Sequence, residues 1–293
     1  MSACATVFYL SNVTAATTAQ AAAAAEIRPS AFDNISLLAQ AAYVVDLSSG
    51  AVLYEKNVDV QLPLASLTKV AMALAVSEVL PADSSIRIPY DTSPPGSAEH
   101  LGKGDVWKVR DVINFTLIAS SNGGANILAD AADEKLRAKY PEAPVGAATL
   151  WRMNDIAKNL GLTNTYFLNV HGLDISATQA GAYGSARDVA KLFAYVAEHN
   201  ASVFGGTTAD GMLISAMSGA HTSAFNTNKA LGSIPGLVMG KTGLTDLAGG
   251  NLAIVFNVGP LHPIVAVVLH STEDGRFEDM KKIVAASITE TAK

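Results

Sequence analysis

The chain has a single cysteine, Cys4, in 293 residues, which excludes a disulfide framework, a thiolate metal cluster and a C-x-x-C redox pair. Folding must rest on packing. The six histidines, His100, His171, His199, His221, His262 and His270, are dispersed without H-E-x-x-H or comparable ligand spacing, so a zinc hydrolase is not expected and neither a metal nor another cofactor is called for. Basic runs are missing as well. The 20 Lys and Arg are scattered and the net charge is -6, which argues against nucleic acid as a partner. No later run reaches the ~18 apolar residues of a membrane span. With thiols and metals set aside, nucleophilic catalysis would have to come from Ser, Thr or Lys.

At 49% hydrophobic and 16% charged residues the composition is that of a globular protein, long enough for one large domain or two small ones. The start differs from the rest: it is rich in Ala and Thr and has no Lys or Arg before Arg28. Val7 to Leu10 reads as the end of a signal h-region, and Ala19-Gln20-Ala21 has the small-x-small form of a cleavage site, although a basic n-region is missing. Residues 1–30 are therefore expected to be an export leader, with a low-complexity tail as the alternative.

Beyond the leader, "AAYVVDL", "SSG" and "AVLYEKN" read as a hairpin around a Ser-Gly turn. Helical patterns follow in "TKVAMALAV", "VRDVINFTLIA", "ANILADAADEKLRAKY", "ATLWRMNDIAKNLG" and "SARDVAKLFAYVAEH". After Gly236 the character changes to short strands, "LVMGKTGLT", "GNLAIVFNV" and "HPIVAVVLHS", with a final helix from about Phe277. Strands come from both ends and helices from the middle. The economical fold is α+β: an antiparallel sheet completed by the two chain ends, packed with helices and carrying an inserted all-helical lobe over roughly residues 70–225 of a single domain, 31–293. A cleft is expected between the two parts.

In "PLASLTKV", Ser66 stands three residues before Lys69 at a helix start, a spacing that puts both side chains on one face. Alone, the pair is either a capping serine with a solvated lysine or a nucleophile with its base. Likewise Ser120, Ser121 and Asn122 occupy a tight break between two helical patterns and could be no more than a turn. Lys241-Thr242-Gly243 on the first late strand is the rarer motif, and the three occur together in the order of one enzyme class.

The set resembles the active-site serine penicillin-recognising enzymes. The stretches "AAYVVDLSSGAVLYEKN", "PLASLTK", "VHGLD", "YGSARDVAKL", "GLVMGKTGLTDLAGG" and "EDGRFEDM" narrow the resemblance to the low-molecular-weight penicillin-binding proteins, the D-alanyl-D-alanine carboxypeptidases. It covers about Leu38 to Met280. The resemblance implies the serine β-lactamase/DD-peptidase fold and an extracytoplasmic location, in the periplasm or at the cell surface. Its implied partners are peptidoglycan stem peptides ending in D-Ala-D-Ala as substrate and β-lactams as covalent inhibitors. Any membrane association would fall to the N-terminus.

Carried onto this sequence, the resemblance makes Ser66 the nucleophile and Lys69 its base, a lysine whose pKa must come down from ~10.4 toward ~7 to act at neutral pH. Ser120 would relay a proton to the leaving D-alanine, Asn122 would orient Lys69 and the substrate amide, and Lys241 and Thr242 would bind the terminal carboxylate. Gly243 would let the substrate backbone approach the strand, and the backbone N–H groups of Ser66 and Leu244 would form the oxyanion hole. There are departures: Gly123 stands where many relatives have Asp, and Thr227 stands where some have a carboxylate-binding arginine, for which Arg276 is a candidate substitute. His171 is expected to hold its loop. A class A β-lactamase would need a Glu-x-x-Leu-Asn between Asn122 and Lys241, and there is none. An endopeptidase acting on cross-links, or a slow sensor of wall peptides or β-lactams, would use the same groups.

Overall fold

The computed structural model describes residues 30–93 and 100–292, so the expected leader lies almost wholly outside the described residues. At each chain end, strands bury alternate side chains in two different apolar clusters. In β1 (Ala41–Asp46) Ala41 and Tyr43 join one cluster, and Ala42 and Val44 join the other. A strand covered on both faces has no polar face to show, which is why these stretches read as continuous apolar runs.

β2 (Val52–Lys56) pairs with β1 across the Ser-Gly turn. The late strands β10 (Leu237–Thr245), β11 (Gly249–Asn257) and β12 (Pro263–Ser271) complete an antiparallel five-stranded sheet in the order β10-β11-β12-β1-β2. The two chain ends thus build one sheet, and β10 is its edge.

Between them run β3 (Leu62–Pro63), α1 (Thr68–Ser77), β4 (Ser85–Arg87), β5 (Val106–Lys108), α2 (Val109–Ile118), α3 (Asn122–Lys139) and α4 (Ala148–Asn159). They are followed by β6 (Tyr166–Phe167), β7 (Ala182–Gly184), α5 (Ala186–His199), the single turn α6 (Ala201–Phe204), β8 (Gly211–Ser215) and β9 (His221–Phe225). The C-terminal helix is α7 (Gly275–Thr291). It covers one face of the sheet with Phe277, Met280, Ile283 and Val284. On the opposite face α5 places Val189, Phe193 and Val196 in the cluster that also holds Val265 and Val267.

The middle of the chain departs from an all-helical lobe. A three-stranded sheet, β3-β7-β6, and the pairs β4-β5 and β8-β9 lie among its helices, and α5 packs on the main sheet. The β8-β9 hairpin shows why. Met212, Ile214, Thr222 and Ala224 face inward while Leu213, Ser223 and Phe225 face out, an alternation of period two, and Gly219 supplies the left-handed turn at φ +90°.

Candidate active site

Every residue of α1 from Thr68 to Val76 is buried, as befits a helix that is apolar all round. Lys69 is the ionisable residue within it, at 0% exposure, and a buried amine needs acceptors. Its Nζ finds three: Ser66 Oγ at 2.7 Å, Asn122 Oδ1 at 2.7 Å and the His171 carbonyl at 2.8 Å. Ser66 itself sits in a short 3-10 turn, Ala65–Leu67, ahead of α1, and neither turn nor helix has a side-chain cap. The reading as a capping serine with a solvated lysine is thereby removed.

Capping work at the second motif belongs to Ser121, whose Oγ accepts from Gly124 N at 3.1 Å at the start of α3. That leaves the neighbours on either side for the site. Asn122, the first residue of α3, reaches Lys69, and Ser120 Oγ accepts from Lys241 Nζ at 2.8 Å. Ser120 holds φ +59° and Ala65, just before Ser66, holds φ +48°, a left-handed conformation that costs non-glycine residues about 1–3 kcal/mol each. Both outliers adjoin the same cluster.

β10 enters from the sheet edge and packs against the Ala65–Leu67 turn. Lys241 is 2% exposed and donates also to the Thr242 carbonyl at 2.9 Å. Thr242 Oγ1 lies 2.5 Å from Thr227 Oγ1, which brings the departing residue Thr227 directly onto the Lys-Thr-Gly motif. Gly243 also has a packing use. A Cβ there would stand 2.8 Å from the Leu64 carbonyl oxygen and 3.2 Å from Ala65 Cβ, so the missing side chain lets β10 close on the turn that carries Ser66. Leu244 is 43% exposed at the free edge.

The loop after β6 closes the far side. Gly172 at φ +86° lies so close to Ala65 that a Cβ would fall 1.9 Å from its carbonyl oxygen. His171 presents its carbonyl to Lys69 while its Nδ1 accepts from Leu173 N at 3.1 Å, so the ring holds the loop. Burial, and after it the Lys69 charge, pull His171 down from 6.5 to about 4. Asp174 clips this loop to the β10–β11 turn, accepting from Thr245 Oγ1 at 2.9 Å and Leu247 N at 3.1 Å.

Ser66, Lys69 and Asn122 thus form one hydrogen-bonded group and Ser120 with Lys241 a second, and the two are brought side by side by the turn before α1, the α2–α3 break and β10. The family model for D-alanyl-D-alanine carboxypeptidases matches residues 27–273. The chain belongs to this family. DacC of Escherichia coli (strain K12), a D-alanyl-D-alanine carboxypeptidase, is 36% identical over 169 residues, 54% of this chain and 39% of that protein. DacF of Bacillus subtilis (strain 168), of the same description, is 28% identical over 256 residues, 84% of this chain and 61% of that protein. The chain therefore spans less than two thirds of the length of these curated relatives. Among solved structures, Penicillin-Binding Protein D2 from Listeria monocytogenes in its ampicillin-bound form has a TM-score of 0.71 at 29% identity, covering 86% of this chain and 98% of that one.

Within the D-alanyl-D-alanine carboxypeptidase family the departure at Gly123 has a steric cause here. A Cβ at Gly123 would lie 2.8 Å from Thr92 Cβ, so Thr92 fills the space an aspartate would need. Arg276 meets the backbone of the Lys-Thr-Gly motif. It is 4% exposed behind β10, with one guanidinium nitrogen 2.6 Å from the Gly243 carbonyl. The His171 carbonyl, Asp174 and Thr92 were not marked by sequence: a main-chain acceptor has no residue signature, and the aspartate of "VHGLD" showed its use only once β10 lay beside it.

Proposed function

We propose that the chain is a serine-type D-Ala-D-Ala carboxypeptidase that removes the terminal D-alanine of peptidoglycan stem peptides through an acyl-enzyme on Ser66. The observation that carries this is the set of contacts around Lys69. The His171 carbonyl and Asn122 Oδ1 can only accept, whereas the Ser66 hydroxyl can accept or donate. An ammonium donates to all three. A neutral amine has two protons for the pure acceptors, and its lone pair is left facing the Ser66 O–H at 2.7 Å, which is a general base poised on a nucleophile.

Ser66 Oγ then attacks the penultimate carbonyl, and the Ser66 and Leu244 N–H groups receive the oxyanion. Lys69 holds the serine's proton. As the C–N bond to D-alanine breaks, Ser120 passes its hydroxyl proton to the leaving nitrogen and is reprotonated by Lys241, which donates to its Oγ. Its Oγ accepts from Lys241, so its own hydrogen is free to point at substrate. Thr242, backed by Thr227, and Lys241 take the carboxylate that distinguishes a free D-Ala-D-Ala end from an internal peptide. Water finally cleaves the ester, losing a proton through Ser120 to Lys241 while Lys69 returns its proton to the departing Ser66 Oγ. Gly243 lets β10 close on the turn that carries Ser66.

Such a substrate puts the enzyme outside the cytoplasm, in the periplasm or at the cell surface, with β-lactams as covalent inhibitors that present the same carbonyl and carboxylate. A β-lactamase is disfavoured by the loop facing Lys69: it offers a main-chain carbonyl, and its one carboxylate, Asp174, is engaged by Thr245 and Leu247. Incubation with a diacylated Lys-D-Ala-D-Ala peptide should release D-alanine with the wild type, very little with Lys69→Ala, and a reduced but measurable amount with Lys241→Arg. Splitting of a cross-linked muropeptide into its two monomers, with no D-alanine released from the free peptide, would replace carboxypeptidase by endopeptidase.

A further inference from the structure

Arg276 is a buried cation whose guanidinium carbon lies 4.7 Å from the centre of the Phe277 ring, a cation–π contact. Among the described residues no carboxylate forms an ion pair with it, its Nε is buried without a hydrogen-bond partner, and its one hydrogen bond runs to the Gly243 carbonyl at 2.6 Å. Burial pulls its pKa down, against the raising pull of Glu273 and Asp274. The side chain comes from the first turn of α7 and crosses the sheet where β11 has Gly250: a Cβ there would stand 3.2 Å from Arg276 Cδ. Gly250 pairs with Leu244, so this crossing lies at the level of the Lys-Thr-Gly motif.

The Gly243 carbonyl and the Leu244 N–H are the two ends of one peptide unit, and in a trans peptide they point to opposite sides. No cis peptide occurs among the described residues. A carbonyl held toward Arg276 turns the Leu244 N–H away from β11, to the free edge of β10 on the side of the turn that carries Ser66. A guanidinium on the carbonyl end also draws electron density toward the oxygen and leaves the N–H more positive, as linked hydrogen bonds polarise one another. We propose that Arg276 is a positioning residue that orients and polarises the Gly243–Leu244 peptide, strengthening the Leu244 N–H as an oxyanion donor, and that it does not bind the substrate carboxylate. This rests on the reading of Ser66 as nucleophile and Leu244 N–H as donor.

The test compares wild type, Arg276→Lys and Arg276→Met with two acyl donors: an acyl-D-Ala-D-Ala peptide, and a phenyl ester of the same acyl-D-alanine, which offers the same carbonyl without a terminal carboxylate. Losing a whole oxyanion donor costs about 10²–10³ in rate, so weakening one should slow acylation about 10- to 100-fold in Arg276→Met and less in Arg276→Lys. The loss should be equal for both donors, a ratio read within one protein sample and so independent of its folded fraction. The infrared carbonyl stretch of a ¹³C-labelled penicillin acyl-enzyme should move to higher frequency in Arg276→Met, because a less polarised carbonyl is stiffer. A loss confined to the carboxylate-bearing donor would make Arg276 a carboxylate anchor and overturn the proposal. So would wild-type rates with an unmoved stretch. Failure of the wild type to acylate at Ser66 would instead bring down the underlying reading.

Discussion

His171 shows how far a residue's chemistry can be set by its neighbours. Its ring is half-buried beside Lys69, its Nδ1 takes the Leu173 N–H and its carbonyl takes the Lys69 amine, so the neutral imidazole is what the fold accommodates. In the unfolded chain the ring gains a proton as pH falls through about 6.5, but in the folded chain only near 4. Between those values the unfolded state binds more protons, so the contribution of His171 to stability is complete above about 6.5 and is lost as pH falls toward 4. Urea midpoints measured from pH 7 to pH 4 should therefore fall more steeply for the wild type than for His171→Gln. Parallel curves would mean that the imidazole is not held neutral. Gly172 beside it needs no titration to explain: at 1.9 Å from the Ala65 oxygen, a Cβ could not be accepted without moving the turn that carries Ser66.

Among the elements, β10 and the loop after β6 press on the Ser66 turn from either side, and Asp174 ties one to the other through Thr245 and Leu247. Asp174→Ala removes both acceptors and leaves the Leu247 N–H and Thr245 hydroxyl without them, so it should cost roughly 1–3 kcal/mol in stability and slow penicillin acylation about tenfold by loosening the alignment of the two walls. Unchanged acylation alongside a lowered urea midpoint would confine the clip to stability. This clip was not legible in the sequence, because "VHGLD" and "KTGLTDL" are far apart in the chain and nothing local says they meet. The late strands were legible, being bounded by Gly and Pro and apolar on both faces. The β8-β9 hairpin was missed although its alternation is plain, because its outward positions Leu213 and Phe225 are 69% and 63% exposed and blur the contrast between faces.

For the whole molecule, the sheet from the two chain ends and the helices between them follow from apolar pattern, while the meeting of Ser66, Lys69, Ser120, Asn122 and Lys241 does not. Each of those residues had an ordinary local explanation, and only the motifs taken together pointed to one cluster. The glycines are the physical reason the cluster closes: Gly172 gives up a side chain against Ala65, and Gly243 against Leu64 and Ala65. Sequence did not mark the packing of Gly243 on the Ser66 turn or the contact of Arg276 with the Gly243 carbonyl, because it cannot say which side of a strand a residue's space is taken from. The measurement that bears most directly on Ser66 as the acylated nucleophile is mass spectrometry of the protein after brief exposure to benzylpenicillin, intact and then as mapped peptides. The opened β-lactam keeps its leaving group tethered in the site, and the loop opposite Lys69 offers no free carboxylate to drive water onto the ester. One penicilloyl adduct per chain is therefore expected, on Ser66, outlasting the exposure and missing from Ser66→Ala, whereas an adduct on another residue, or rapid turnover of penicillin with no adduct at all, would contradict it.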